Sequence, residues 1–291
     1  MKAKTIAEVR GFPETGSRTL YLVGTPIGNL EDITLRAVRI LREADLIACE
    51  DTRQTQKLLN HFGIKTRTTS YHEHNEITKA PELVLRMEEG ARVALVSDAG
   101  IPGISDPGYR LVHLCIRHRI PVAPIPGPSA VVAALAVSGL PTHAFQFVGF
   151  LPPKRAARRK FLASVAGAQS TTIAFESPRR VVAALEDIRT VLGDRPVTAA
   201  RELTKIHEEF LRGTCSEVIQ ALGERAAVSG EITLLIGAAP EPPATAAPEQ
   251  SVKERAGQLM REQKLSRMDA LKAVARERGI SKSQVYREYE A

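Results

Sequence analysis

The chain has 291 residues, 43% of them hydrophobic and 25% charged, with a net charge of +7 and an isoelectric point near 9.4. These values exclude a low-complexity or collagen-like chain, leave room for two hydrophobic cores, and favour a polyanionic partner such as RNA or an anionic surface. The cysteines Cys49, Cys115 and Cys215 are isolated, which excludes a disulfide framework or a CxxC zinc site and fits a reducing, cytoplasmic setting. The N-terminal segment has no apolar core of the signal-peptide kind, and the longest mostly apolar stretch, Ala130 to Leu140, is too short to span a bilayer.

Residues 1–17 are polar, with Gly11, Pro13 and Gly16, and read as a disordered leader. From Thr19 onward short apolar runs alternate with amphipathic stretches. Strands are expected over 20–23, 46–49, 66–71, 92–96 and 121–125. Helices are expected over 33–43 with Asp32 as N-cap, over 52–62 ending at Gly63, over 73–89 ending at Gly90, and near 109–119. That alternation predicts an open α/β sheet. Pro126-Gly-Pro-Ser-Ala130 then opens an Ala/Val-rich helix and marks a domain junction. The second half repeats the α/β grammar, with strands over 145–150, 171–175, 196–200 and 231–236 and helices over 180–191 and 215–225. Residues 238–250, with four prolines and five alanines, have linker composition. Beyond them a helix from Ser266 to Gly279 and another from Ser281, with Gln284 completing a capping box, suggest a small helix-turn-helix piece. The expected organisation is a leader (1–17), an N-terminal α/β domain (18–126), a C-terminal α/β domain (127–237), a Pro/Ala linker (238–250) and a helical appendix (251–291).

Chemistry in open α/β sheets sits beyond the carboxyl ends of strands. Four loops occupy such places: Gly24-Thr-Pro-Ile-Gly-Asn-Leu30, Ser97-Asp-Ala-Gly-Ile-Pro102, Pro126-Gly-Pro-Ser-Ala130 and Phe175-Glu-Ser-Pro-Arg-Arg180. None is a phosphate loop or a dinucleotide fingerprint, because GK[ST] and GxGxxG are both missing. Singly, each reads as a tight turn, and Asp98 or Ser129 as a helix cap. As an ordered set they offer glycines for close backbone approach, a carboxylate and a hydroxyl.

That string, continued by Phe147 to Phe150, by Arg201-Glu-Leu-Thr-Lys-Ile-His-Glu-Glu209 and by Gly230-Glu-Ile-Thr-Leu-Leu-Ile-Gly237, resembles the tetrapyrrole-methylase family in its ribosomal branch. The resemblance runs from about Leu20 to Gly237. It implies two α/β domains with S-adenosyl-L-methionine in the cleft between them, and methylation of a ribose 2′-oxygen, at cytidine 1402 of 16S rRNA, in the small ribosomal subunit. It further implies a homodimer with no need of a metal. By position, the cofactor residues would be Pro26; Asp98, Ala99, Gly100 and Ile101; Ser129 and Ala130; and Phe175, Glu176 and Leu203.

A ribose hydroxyl is a poor nucleophile, so a base would help. Glu50, Asp51, Glu202, Lys205 and His207 are candidates, with no choice possible among them. RNA must be held by its phosphates. Lys154, Arg155 and Arg158 in the run KRAARRK, Arg179 and Arg180 beside the fourth loop, and Arg53 are the candidate grips. A solvated helix face explains the run equally well. His72-Glu-His74 reads as a polar helix start rather than a metal site. Competing functions are a precorrin- or uroporphyrinogen-type C-methyltransferase, a non-catalytic RNA-binding protein on the same fold, and, more weakly, a DNA-binding regulator.

Overall fold

The computed structural model describes residues 18–240 and 251–290. The expected leader, and the expected linker from residue 241 on, lie outside the described residues. The chain divides into two compact units, one reaching Ala239 and one beginning at Pro240.

In the first unit, β1 (Leu20–Val23), β2 (Leu46–Cys49), β3 (Thr68–Ser70), β4 (Val93–Val96) and β5 (Val122–Ile125) form one sheet in the order β3-β2-β4-β1-β5. Every pairing in it is parallel. β2 and β4 are buried along their whole length, as expected of strands covered by helices on both faces. Those helices are α1 (Leu35–Glu43), α2 (Thr52–His61), α3 (Glu76–Glu88) and α4 (Tyr109–Arg117). The sheet separates two cores, one under α1 and α2 around Leu41, Ile47 and Leu59, the other under α3 and α4 around Leu83, Met87 and Leu111. The cap of α1 differs from expectation. Asp32 closes a short 3-10 turn, and Thr34 is the N-cap, its hydroxyl accepting from Ala37 N at 3.1 Å.

The second sheet is mixed, in the order β6-β7-β10-β8-β9. It comprises β6 (Phe145–Phe150), β7 (Thr171–Glu176), β8 (Pro196–Arg201), β9 (Glu209–Thr214) and β10 (Ile232–Ile236). Only β6 and β7 pair in parallel. β9 was not among the expected strands. It is an edge strand whose residues are all half-buried or exposed, so it carries no apolar signature. Helix α5 (Ala130–Val137) joins the halves: its Val131, Ala134 and Leu135 share one apolar cluster with Ile27, Ile173, Leu203 and Leu235. Helices α6 (Arg155–Ser164), α7 (Val181–Leu192) and α8 (Cys215–Gly223) line the other core, with Leu162, Leu185, Ile188 and Val218 fully or nearly buried.

Among its described residues the second unit has three helices where two were expected. A helix α9 (Val252–Glu262) precedes α10 (Arg267–Arg278) and α11 (Lys282–Glu290). It opens with a Ser251/Glu254 capping box and packs Val252, Ala256 and Leu259 against Leu271, Val274 and Val285. Gly279 ends α10 in the left-handed region at φ 63°.

Candidate functional site

The order β4-β1-β5 puts three loops side by side at one end of the first sheet, because parallel neighbours end on the same edge. Beyond β1, Thr25 N donates to Gly100 O at 2.9 Å and Gly100 N returns a bond to Thr25 O at 3.1 Å, so the first two loops are laced together. The first and third loops meet backbone to backbone. A Cβ on Gly24 would lie 2.8 Å from Gly127 Cα, and one on Gly127 2.8 Å from Gly24 Cα. Only glycine permits that approach.

On the second sheet the antiparallel register sets Ile232 against both Glu176 and Arg201. The end of β7, the start of β10 and the chain after β8 therefore converge. The two edges enclose a cavity of about 410 Å³, within the range of small-molecule sites. Of the ten residues expected around a cofactor, nine line it: Asp98, Ala99, Gly100 and Ile101; Ser129 and Ala130; Phe175, Glu176 and Leu203. From the first loop the wall takes Ile27 rather than Pro26. Ser129 occupies the N-cap position of α5, yet its hydroxyl makes no cap bond, which leaves it available to the cavity.

Glu176 is the most unusual wall residue. It is 2% exposed. Its Oε1 accepts from Ser177 N at 2.7 Å and from Arg180 Nε at 2.8 Å, while its Oε2 is buried with no partner. A buried lone acceptor is costly until a ligand donor meets it. Arg180 also donates to Leu151 O at 3.2 Å, so this guanidinium is spent on the wall and is not the free phosphate grip expected of it.

Sequence reasoning missed part of the wall. The loop continues past Pro102 to bring in Ile104, Ser105 and Asp106, and Phe150 and the segment 230–233 close the far side. Burial, helped by the charge of Asp98 and opposed by a Ser97 hydrogen bond, pushes the Asp106 carboxyl up to about 6. A signal existed: SDPG at 105–108 repeats the Ser-Asp opening of SDAG at 97–100. Phe150 is 60% exposed and meets Phe175 edge-on with centroids 5.5 Å apart, an apolar surface suited to a flat ring.

None of the five candidate bases lines the cavity. Glu50 comes nearest in effect: burial, then the charges of Asp106 and Asp98, raise its carboxyl. Asp51 caps α2 and pairs with Arg53 at 2.7 Å, so Arg53, though exposed, is partnered. Glu202 accepts from Glu231 N at 2.8 Å and from Lys205 Nζ at 2.9 Å. His207 is exposed. Among the RNA candidates Lys154 and Arg179 are exposed, but Arg158 is 4% exposed and locked to Asp187. A helix-face residue pointing inward cannot reach a phosphate outside. Among the described residues no group of three or more His, Cys, Asp or Glu is placed to hold a metal, and no helix is long and apolar enough to cross a membrane.

Residues 19–219 match the model of the tetrapyrrole (corrin/porphyrin) methylases. The chain is 49% identical over 278 residues to a ribosomal RNA small subunit methyltransferase I of Halalkalibacterium halodurans, covering 93% of this chain and 94% of that one. It is 50% identical to the protein of the same name from Thermotoga maritima, covering 75% of this chain and 97% of that one. Among solved structures, uroporphyrin III C-methyl transferase from Thermus thermophilus superposes with a TM-score of 0.52 at 22% identity, over 75% of this chain and 96% of that one, a likeness of fold.

Proposed function

The chain belongs to the tetrapyrrole methylase family, and from that premise we propose that it transfers a methyl group from S-adenosyl-L-methionine to small-subunit ribosomal RNA, at the 2′-hydroxyl of one cytidine, position 1402 of 16S rRNA. The observation that carries this reading is a cavity closed by strand-end loops of both sheets and lined by nine of the ten residues expected around the cofactor. The residues present fit the cofactor. Ile27, Phe150 and Phe175 give apolar walls. Glu176 Oε2 is a buried acceptor in need of a donor, and Asp98 and Asp106 add negative charge on the opposite wall. Identity near 50% to proteins named for ribosomal RNA favours that acceptor over a tetrapyrrole.

Bound there, the cofactor would supply a methyl group already activated by a positive sulfur. The protein's task is then alignment and exclusion of water. The backbone of residues 98–101 and the Ser129 hydroxyl hold the ligand from the first sheet, and Phe175, Glu176 and Leu203 hold it from the second. Asp98 has a second role, since its Oδ1 accepts from Asp51 N at 3.1 Å and so ties the second loop to the start of α2. A carboxylate on the cavity wall would lower the energy of a cationic ligand bound beside it. The acceptor hydroxyl must lose its proton, and Asp106, titrating near 6, is matched to neutral pH as a proton acceptor.

The test is methyl transfer from labelled S-adenosyl-L-methionine to small subunits from a strain lacking this gene, followed by mapping of the label. Label on a ribose 2′-oxygen is expected. No label on the RNA, with the cofactor nonetheless bound, would overturn the acceptor and leave the fold and cofactor reading standing. Asp98→Ala is expected to weaken cofactor binding at least tenfold in a calorimetric titration, on the scale of a lost charged hydrogen bond (about 1.5–3 kcal/mol).

A further inference from the structure

The basic helix α6 carries charge that the cavity does not use. On α7, Asp187 is fully buried and accepts from three arginines. Arg158 is committed to it: Nε and Nη2 reach Asp187 Oδ2 at 2.9 and 2.6 Å, and the remaining donors reach Pro153 O and Ala183 O. This buried pair ties α6 to α7 beside the apolar core the two helices share.

Arg155 and Arg159 are bound differently. One helical turn apart, both donate Nε to the other oxygen, Asp187 Oδ1, at 3.1 and 2.6 Å. Sharing one oxygen holds the two guanidiniums side by side. Each spends only Nε there, and among the described residues their terminal nitrogens make no further bond. The Arg155 side chain is 66% exposed and that of Arg159 37%. With Arg158 on Oδ2, one further donor would satisfy the buried Oδ1, and a second guanidinium on that same oxygen costs mutual repulsion. What the arrangement gains is two rigid forks with free outer edges, the donor geometry that matches phosphate oxygens. Lys154 and Lys160 flank them.

The forks also lie next to the cavity. Helix α6 begins five residues after Phe150 of the cavity wall, a span of at most about 18 Å even if fully extended. The intervening loop is tied back to that wall by the bond from Arg180 to Leu151 O.

We propose that Arg155 and Arg159, set side by side by the buried Asp187, clamp a phosphodiester of the RNA strand whose acceptor nucleotide enters the cavity, with Asp187 as positioning residue and Arg158 as anchor. The proposal rests on the RNA-acceptor reading above. It moves the phosphate contact of this helix from Arg158 to Arg159 and makes an acidic residue essential for binding a polyanion.

The test is the salt dependence of binding of a fluorescent single-stranded fragment of small-subunit ribosomal RNA to the full chain. Wild type is compared with the double variant Arg155→Gln/Arg159→Gln and with Asp187→Asn, with thermal melts and cofactor titration in parallel. Losing the contact to one phosphodiester should reduce the slope of log K against log salt by about 0.7, with cofactor affinity unchanged. Asp187→Asn removes a negative charge, so a simple positive field predicts tighter RNA binding, whereas the clamp predicts weaker binding by several-fold. An unchanged slope in the double variant, or tighter binding by a folded Asp187→Asn protein, overturns the clamp and leaves the RNA reading intact. If Asp187→Asn does not fold, the double variant decides alone. A wild-type protein that binds no RNA overturns both.

Discussion

On the first sheet's side of the cavity the charge of Asp98 helps raise Asp106, and the charges of Asp106 and Asp98 help raise Glu50, with no cation bonded to any of the three among the described residues, whereas across the cavity Glu176, Asp187, Glu202 and Glu209 are each held by arginine or lysine. The same residue types consequently behave in opposite ways. Burial and a like charge push Asp106 up to about 6. The guanidiniums of Arg225 and Arg201, acting against burial, pull Glu209 down to about 2. The first wall keeps a negative surplus that a cationic ligand can neutralise. The second wall is neutralised from within, so it is a rigid surface with arginines to spare.

The contrast can be broken most sharply at Asp187. Asp187→Ala strands the Arg158 guanidinium in the core, and loss of one partner of such a buried pair costs about 3–5 kcal/mol. Urea unfolding should show a midpoint lowered to match, and a midpoint within error of wild type would remove the contrast.

Asp106 gives an intermediate effect with a pH signature. Its carboxyl rises from the ordinary carboxylate value of 3.8 to about 6 on folding, so between those values the folded state binds the extra proton. The favourable contribution is complete below about pH 4 and is lost as pH climbs to 6. Asp106→Asn stays neutral throughout. Relative to it, wild type should lose about 1–2 kcal/mol across that window, after allowance for solvent screening of a partly exposed group. Parallel stability curves from pH 4 to 7 would exclude the raised carboxyl. The smallest effect is expected on the first half's surface. The i,i+4 pair of Arg39 and Glu43 on α1 is 3.3 Å long with both side chains substantially exposed, so Arg39→Gln should cost about 0.3–0.5 kcal/mol. A loss above 1 kcal/mol would show that ion pairs matter equally on both sides.

Much of the fold was legible. Every strand of the parallel sheet was expected within about two residues: β1, β2 and β4 are continuous apolar runs, whereas the half-buried edge strand β3 was placed by the alternation of elements around it. β9 was not, because an edge strand of half-buried residues has no such run. Helix α9 was legible in principle, since Ser251 and Glu254 spell a capping box and Val252, Ala256 and Leu259 follow a helical period, but a sequence crowded with charge hid the stripe.

The sequence alone determined the alternation of elements, the loops at strand ends, and the family to which those loops belong, all of them local patterns of residue type against backbone period. Tertiary structure alone decided that Gly24 and Gly127 touch, that Asp106 joins the wall, that Arg158 turns inward while Arg155 and Arg159 share one oxygen, and that Glu176 keeps an unpaired atom. Strand order and helix rotation set those distances. Neither is written in the spacing of residues, because each depends on how separate segments bury their apolar faces together.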